Sequence, residues 1–339
     1  MILFPEYTAK NMNGPIIALG ELLVDLLPGQ NNVKISEPGE VIKTASGSSG
    51  IFACAVARLG AKSGFLGKIG KDSLSRMVYE IITAEGVDIS HAVLSDEGKI
   101  GLAFVEYLKD ERNYQYYRND SVGSKYAASD VDKEYLASGF NLHYSGMLLE
   151  LSPQMQSACL YAVEIAKDNG ILISFDPNIR KELLKSDKAM ERLVAAVKSA
   201  DIITPTLEEA KFITKKDKID EILQDLHAMG PKVVALTRDK DGAILSANNQ
   251  VAIVNGIKAD VVDPTGAGDA FAAALIYCIQ QGYSLEEAAC FCNCAGVCTC
   301  MKRGSIGTAL PDLEQVKQLM SSGVCSVRSC DIAELTSML

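Results

Sequence analysis

The chain has 339 residues, 48% hydrophobic and 22% charged, enough for a large α/β unit with a full core. Acidic residues outnumber basic ones 43 to 33, and a formal net charge of −10 disfavours a general nucleic-acid binder, which must attract phosphates at long range. No apolar run approaches the roughly 18 residues of a membrane span. The N-terminal stretch MILFPEYTAKNMNGP has neither the basic region nor the unbroken apolar run of a signal peptide. Ten cysteines without framework spacing fit a reducing compartment, so the expectation is a cytoplasmic enzyme with no membrane or nucleic-acid partner.

Strand-like apolar runs at 16–27, 64–69, 140–144, 171–176, 201–204 and 232–237 alternate with helical spacing at 51–59, 74–85, 153–168, 188–197 and 219–229. Such alternation predicts a mostly parallel sheet with helices on both faces. Two stretches break the rhythm: 30–43 is polar and extended, and 98–118 reads as a hairpin turning at 109–113. With no crossover helix after either, both read as strands of a small lid. Residues 242–262 form further short β segments, and 321–339 reads as a C-terminal tail. There is no internal repeat or long linker, so 1–339 is expected to form one domain carrying its lid.

The chemistry concentrates in Asp263-Pro-Thr-Gly-Ala-Gly-Asp-Ala-Phe271, between a strand and a long apolar helix. Gly266 and Gly268 allow close backbone approach, and the following helix N-terminus offers free N–H groups that suit an anion. A carboxylate there, Asp269, is unfavourable unless it handles a proton or faces a cation. The chain lacks both the G-x-x-x-x-G-K-[ST] and the G-x-G-x-x-G phosphate loops.

This run closely resembles the C-terminal signature D-T-x-G-A-G-D of the ribokinase-like (PfkB) carbohydrate kinases. Residues 47–60 (GSSGIFACAVARLG) with GFLGKIGKDSLS resemble the family's N-terminal signature. ISFDPNIR (173–180) and ITPTLEEA (203–210) fall where it has its middle motifs. The resemblance implies a ribokinase-like three-layer α/β sandwich with a small β lid, a small-molecule sugar or sugar acid as acceptor, ATP and Mg²⁺ as cofactors, and a homodimer formed through the lid. It implies Asp269 as base, Gly266, Ala267 and Gly268 as an anion hole, and Arg180 as a clamp on phosphate or on the substrate acid. Glu209 would orient water on magnesium, and Asp263 is a candidate ligand for a monovalent cation such as K⁺. Nucleotide contacts fall at Thr237, Asp239, Gly242, Gly266, Gly268, Asn293 and Gly296.

For the substrate, Asp25 and Gly47 match sugar-binding positions. The segment YYRNDSVGSK (116–125) resembles that of 2-keto-3-deoxygluconate kinases, in which a Tyr and an Arg bind the sugar acid. Alternate strand residues share a face, so Tyr116 and Arg118 can act together, the guanidinium pairing with a carboxylate. The expected substrate is therefore a sugar acid, 2-keto-3-deoxygluconate first, with fructose or another hexose or ribose as the alternative and a non-catalytic sensor as a third reading. Ser46, Ile51, Ala103, Thr206 and Asp239 depart from the family pattern, replacing Gly, Asn, Tyr, Asn and Gly. Cys290, Cys294 and Cys298 make an i, i+4, i+8 stripe that could hold a soft metal, although buried thiols also pack as small hydrophobes. His91, His143 and His227 share no motif.

Overall fold

The computed structural model describes residues 4, 11–30, 32–108, 111–179 and 186–335. β1 (Ile16–Leu19) lies in the main sheet, whereas β2 (Leu23–Pro28) and β3 (Val41–Ser46) pair in a smaller one. α1 (Ser48–Arg58) returns the chain to the main sheet at β4 (Ser63–Leu66). A short ribbon, β5 (Lys68–Gly70) with β6 (Val93–Ser95), flanks α2 (Ser73–Ala84), and the hairpin β7 (Gly101–Leu108) and β8 (Glu111–Tyr117) completes the small sheet. Alternation follows: α3 (Lys133–Ala137), β9 (Asn141–Ser145), α4 (Pro153–Asn169), β10 (Leu172–Asp176), α5 (Asp187–Ser199), β11 (Ile202–Ile203), α6 (Leu207–Thr214), α7 (Ile219–Met229) and β12 (Val233–Thr237). β13 (Ala243–Ala247) and β14 (Gln250–Val254) precede α8 (Ala267–Gln281), α9 (Leu285–Cys300) and α10 (Leu313–Ser321), and β15 (Val327–Asp331) comes last.

Among the described residues the main sheet has the order β15-β14-β13-β12-β11-β10-β9-β1-β4. It is parallel from β4 to β12 and antiparallel beyond. Strand alternation divides the core into two layers. Ile16, Ala18, Leu172, Val233 and Ala235 pack with α1, α8 and α9, whereas Ile17, Leu19, Ile173, Val234 and Leu236 pack with α4, α5 and α7. This is the layered α/β arrangement that the resemblance implies, with β3-β2-β7-β8 as the smaller sheet. Residues 270–279 of α8 are buried without interruption, as a helix enclosed on all sides requires.

Four expectations need correction. The run 16–27 is two strands in two sheets. A Cβ at Gly20 would stand 2.1 Å from Ser49 Oγ, and that hydroxyl donates to Leu19 O at 2.9 Å, ending β1 where the chain turns away. Only the last residues of 30–43 are extended, so β2 and β3 carry the small sheet together with the hairpin. The hairpin turn is shorter than expected: Leu108 and Glu111 already pair, leaving 109 and 110, which lie outside the described residues. The segment read as a tail supplies β15, which pairs with β14, and Cys325 is disulfide-bonded to Cys290.

Candidate active site

A cleft of about 290 Å³ opens between the small sheet and the C-terminal ends of the main-sheet strands, where open α/β sheets place ligands. β10 ends in Asp176 and β12 in Thr237, both on its wall. The small sheet contributes Asp25, Ser46, Arg112, Tyr114 and Tyr116, and α8 contributes Gly266, Gly268 and Asp269.

Gly266 caps α8 with φ 81°, and a Cβ there would stand 2.9 Å from Ile51 Cγ2. Ile51, buried on the cleft wall, thus fills the family's Asn position with an apolar contact to the loop. A Cβ at Gly268 would have nothing within 4 Å, so at that position glycine leaves cleft space open. At the start of α8, Ala270 N closes a helical turn onto Gly266 O at 2.8 Å and Ala267 N reaches Pro264 O at 3.3 Å, so the N–H groups of this turn point toward the cleft end of the helix. This open cradle at a helix N-terminus fits an anionic group. Asp269 sits in the same first turn, and Ser48 Oγ from α1 donates to its Oδ1 at 2.5 Å. Gly47, the N-cap of α1, has φ 105°, and a Cβ there would lie 2.6 Å from Glu21 O, so both torsion and space require glycine.

Glu209 lines the cleft, but its carboxylate also builds the end of α6. Oε2 accepts from Thr206 N at 2.8 Å and Thr206 Oγ1 at 3.0 Å, and Oε1 accepts from Ile179 N at 2.6 Å. Thr206 is therefore a helix cap whose hydroxyl accepts from Glu209 N, a local reason for threonine at that departure. Asp176 accepts from Asn178 N at 2.9 Å, holding the turn after β10. Among the described residues no three carboxylates lie close enough together to cage an ion. Arg180 lies outside the described residues.

Asp25 is 3% exposed, and its Oδ2 accepts from Ser46 Oγ at 2.8 Å. Burial raises its pKa to about 6, helped by the Asp263 charge and opposed by the Ser46 hydrogen bond and Arg112. Tyr114 and Tyr116 stack at 5.7 Å, and burial pushes the Tyr114 phenol up to about 12, leaving it protonated as a donor.

Arg118, the expected carboxylate reader, is buried directly behind the cleft residues Tyr116 and Met147, with its Nη1 3.5 Å from Met147 Sδ. Its Nη1 pairs with buried Glu21 Oε2 at 3.4 Å, and its guanidinium lies 4.5 Å from the Tyr116 ring centroid. Glu21 also accepts from Ser121 Oγ at 2.5 Å, and burial raises its pKa against the pull of Arg118. A buried acid that must be neutralised holds the arginine. The small sheet instead presents Arg112, two steps before Tyr114 on the same strand face. Alternation counted back from Tyr116 would have found both.

Asp263 also differs from expectation. Oδ2 accepts from Tyr107 Oη at 2.9 Å and Gly304 N at 3.2 Å. Oδ1 accepts from Thr265 Oγ1 at 2.6 Å, Thr265 N at 3.0 Å and Arg112 Nη1 at 3.5 Å. A carboxylate surrounded by donors, one a guanidinium, is unsuited to holding a monovalent cation.

On the expected nucleotide side, Thr237 lines the cleft. Gly242 is required by φ 89° and by Val254 O, which would stand 2.2 Å from a Cβ there. Asn293 donates to Asn255 O at 3.0 Å, and at Gly296 a Cβ would stand 3.5 Å from Ala267 O. Asp239 is exposed and away from the cleft wall, with φ 53°, a left-handed conformation that Asp tolerates in place of Gly. Arg238 folds back onto Asp241 O at 2.8 Å rather than reaching the cleft. The cysteine stripe does not present three thiols. Cys290 is joined to Cys325 with Cα atoms 5.9 Å apart, and Cys294 lies beside that pair as a free, buried thiol. His143 stacks on Phe52 in the core, where burial holds it neutral with a pKa of about 3.

Comparison with known proteins agrees with this geometry. The profile of the pfkB family carbohydrate kinases matches residues 15–313. Fructokinase-1 of Oryza sativa subsp. japonica is 34% identical over 317 residues, covering 91% of this chain and 98% of the relative. An E. coli protein described as a ribokinase II, crystallised with ATP and Mg²⁺, superposes with a TM-score of 0.86 at 29% identity, over 91% of this chain and 99% of that one. A 2-dehydro-3-deoxygluconokinase of Thermotoga maritima shares the fold at TM-score 0.84 and 21% identity, over 92% and 99% of the two chains. The anion cradle at the start of α8, its carboxylate and a cleft roofed by a small sheet thus occur in a chain that belongs to the pfkB family of carbohydrate kinases.

Proposed function

We propose that this carbohydrate kinase transfers the γ-phosphoryl group of ATP to a hydroxyl of fructose or a closely similar neutral ketohexose. The observation that carries the choice is Arg118, whose charge is already paired with buried Glu21 behind the cleft residue Tyr116. Among the cleft's charged side chains Asp25, Asp176, Glu209 and Asp269 outnumber the one guanidinium, Arg112, which pairs with Asp263; this balance favours hydroxyl donors over a carboxylate. The 34% identical fructokinase supports the same choice, which replaces the sugar acid of the sequence reading.

In this reading Asp25 accepts a sugar hydroxyl and Tyr114 and Tyr116 pack against the sugar carbons. Gly47 borders the acceptor space at the N-cap of α1, where its torsion and the neighbouring Glu21 backbone both require glycine. Asp269, oriented by Ser48, takes the proton as the acceptor oxygen attacks phosphorus, and the bond to the ADP oxygen breaks in line with that attack. The amides around Gly266–Gly268 and the α8 dipole stabilise charge on the transferred group. Asp176 and Glu209, both on the cleft wall, would hold the hydration shell of a Mg²⁺ ion, which when bound would neutralise charge on the nucleotide phosphates. Thr237, Asn293 and Gly296 border the nucleotide. The enzyme is proposed to be cytoplasmic and to dimerise through the small sheet, whose edge strands β3 and β8 expose Val41, Ile42 and Tyr117.

The test is coupled ADP release with Mg-ATP against fructose, ribose, adenosine, 2-keto-gluconate and 2-keto-3-deoxygluconate. A kcat/KM highest for fructose supports the proposal; a preference for either keto acid refutes it.

A further inference from the structure

The small sheet is fastened to the loop before α8 by a set of bonds that the phosphotransfer scheme above does not use. Tyr107 on β7 and Arg112 on β8 are directly opposite in the hairpin register. Each donates to a different oxygen of Asp263, the tyrosine to Oδ2 at 2.9 Å and the arginine to Oδ1 at 3.5 Å. Arg112 also donates to Thr265 Oγ1 at 2.5 Å, and the Thr265 hydroxyl and amide both donate to Asp263 Oδ1. Gly304 N completes the set on Oδ2. Thr265 immediately precedes Gly266, the cap of α8, so the 1% exposed carboxylate joins the hairpin, the anion-hole loop and the chain after α9.

A buried carboxylate is stable only while donors surround it, and charge-assisted bonds are the strongest of these. Lifting the small sheet would strip Asp263 of the phenol and the guanidinium and strip Thr265 of its cationic partner. The bonds that remain come from Thr265 and Gly304 alone. A lifted hairpin would therefore leave the loop bonded differently from the arrangement seen here.

The geometry points to Asp263 as a positioning residue that couples the seating of the small sheet to the shape of the anion hole at Gly266–Gly268. With the sheet seated over an acceptor, the amides are preset for the transferring group. With it lifted, the loop relaxes and phosphoryl transfer to water is disfavoured. This rests on the phosphotransfer reading of the same site.

The test is a double-mutant cycle with Tyr107→Phe and Asp263→Asn, read as kcat and KM for sugar and Mg-ATP, with melting temperature recorded alongside. Tyr107 is not among the residues lining the cleft, so its phenylalanine variant leaves the sugar contacts in place. Loss of one hydrogen bond to a charged group should lower kcat about tenfold, with both KM values moving less than about threefold. Because both residues act through one hub, adding Tyr107→Phe to Asp263→Asn should change kcat by less than about twofold. Should Asp263→Asn fail to fold, Thr265→Val takes its place in the cycle with the same non-additivity. Unchanged kcat in Tyr107→Phe, a change confined to KM, or effects that multiply would each overturn the coupling. Wild-type turnover is the control: its absence on every sugar sinks the phosphotransfer reading, whereas its presence beside an unaffected Tyr107→Phe overturns the coupling alone.

Discussion

Asp25 sets stability against binding, and Asp25→Asn separates the two. Its carboxyl has a pKa of about 6 in the folded chain against an ordinary value of 3.8, chiefly because of burial. Between those values the folded state holds a proton that the unfolded chain has released, so stability falls as pH rises through the window. Above it the ionised carboxylate costs the fold about 3 kcal/mol, from roughly 2.2 pH units at 1.36 kcal/mol each. Asparagine carries no such penalty and can still accept from Ser46 Oγ, although its amide needs an acceptor of its own. Asp25→Asn should therefore stabilise the sugar-free protein at pH 7 by up to about 3 kcal/mol, with the gain shrinking toward zero near pH 4. The same change should raise KM for the sugar about tenfold or more, the usual effect of losing a hydrogen bond to a charged group. Urea unfolding from pH 4 to 8 and steady-state kinetics at pH 7 measure both. A variant less stable at pH 7, or a stability difference that does not vary with pH, would refute the reasoning.

The two glycines of the anion cradle should behave differently. Gly268→Ala places its methyl in open cleft space and should lower kcat by on the order of a hundredfold with little change in melting temperature, the size expected when one stabilising amide is obstructed. Gly266→Ala meets Ile51 at φ 81° and should also destabilise the fold by about 1–3 kcal/mol, seen in the same melts. Arg118→Met leaves Glu21 buried without its cation and should cost about 3–5 kcal/mol in urea unfolding; a loss confined to activity on sugar acids would instead make Arg118 a substrate reader. Light scattering with size exclusion should give a dimer, and Val41→Lys with Ile42→Lys should shift it toward monomer; a wild-type monomer would contradict the proposed interface.

The alternation of strands and helices was legible because each period is local: 51–59, 153–168 and 219–229 all lie on or within a residue of the helices found there. The α8 signature was legible because glycine torsion and a helix start are also local. What the sequence concealed depends on partners distant in the chain. Gly20 splits an apparently continuous strand because Ser49 crosses it from α1. Arg118 was misplaced because its partner Glu21 lies 97 residues earlier, and no periodicity reports a buried ion pair. Asp263 drew a cation by analogy with the family, whereas donors from β7, β8 and Gly304 surround it. Thr206, a departure from the family's Asn, is the cap of α6, bonded to Glu209. Arg112 was within reach: its two-residue spacing from Tyr114 and Tyr116 is visible in the sequence, and the Arg beyond Tyr117 drew attention instead.

The most direct measurement of the central claim is turnover by Asp269→Asn, with fructose and Mg-ATP saturating and ATP affinity measured in parallel. Asparagine keeps the shape beside Ser48 and cannot take the proton, so the account predicts a fall in kcat on the order of a thousandfold with ATP affinity nearly unchanged. A variant that retains turnover within about tenfold of wild type would contradict Asp269 as the base and, with it, the phosphotransfer role assigned to the start of α8.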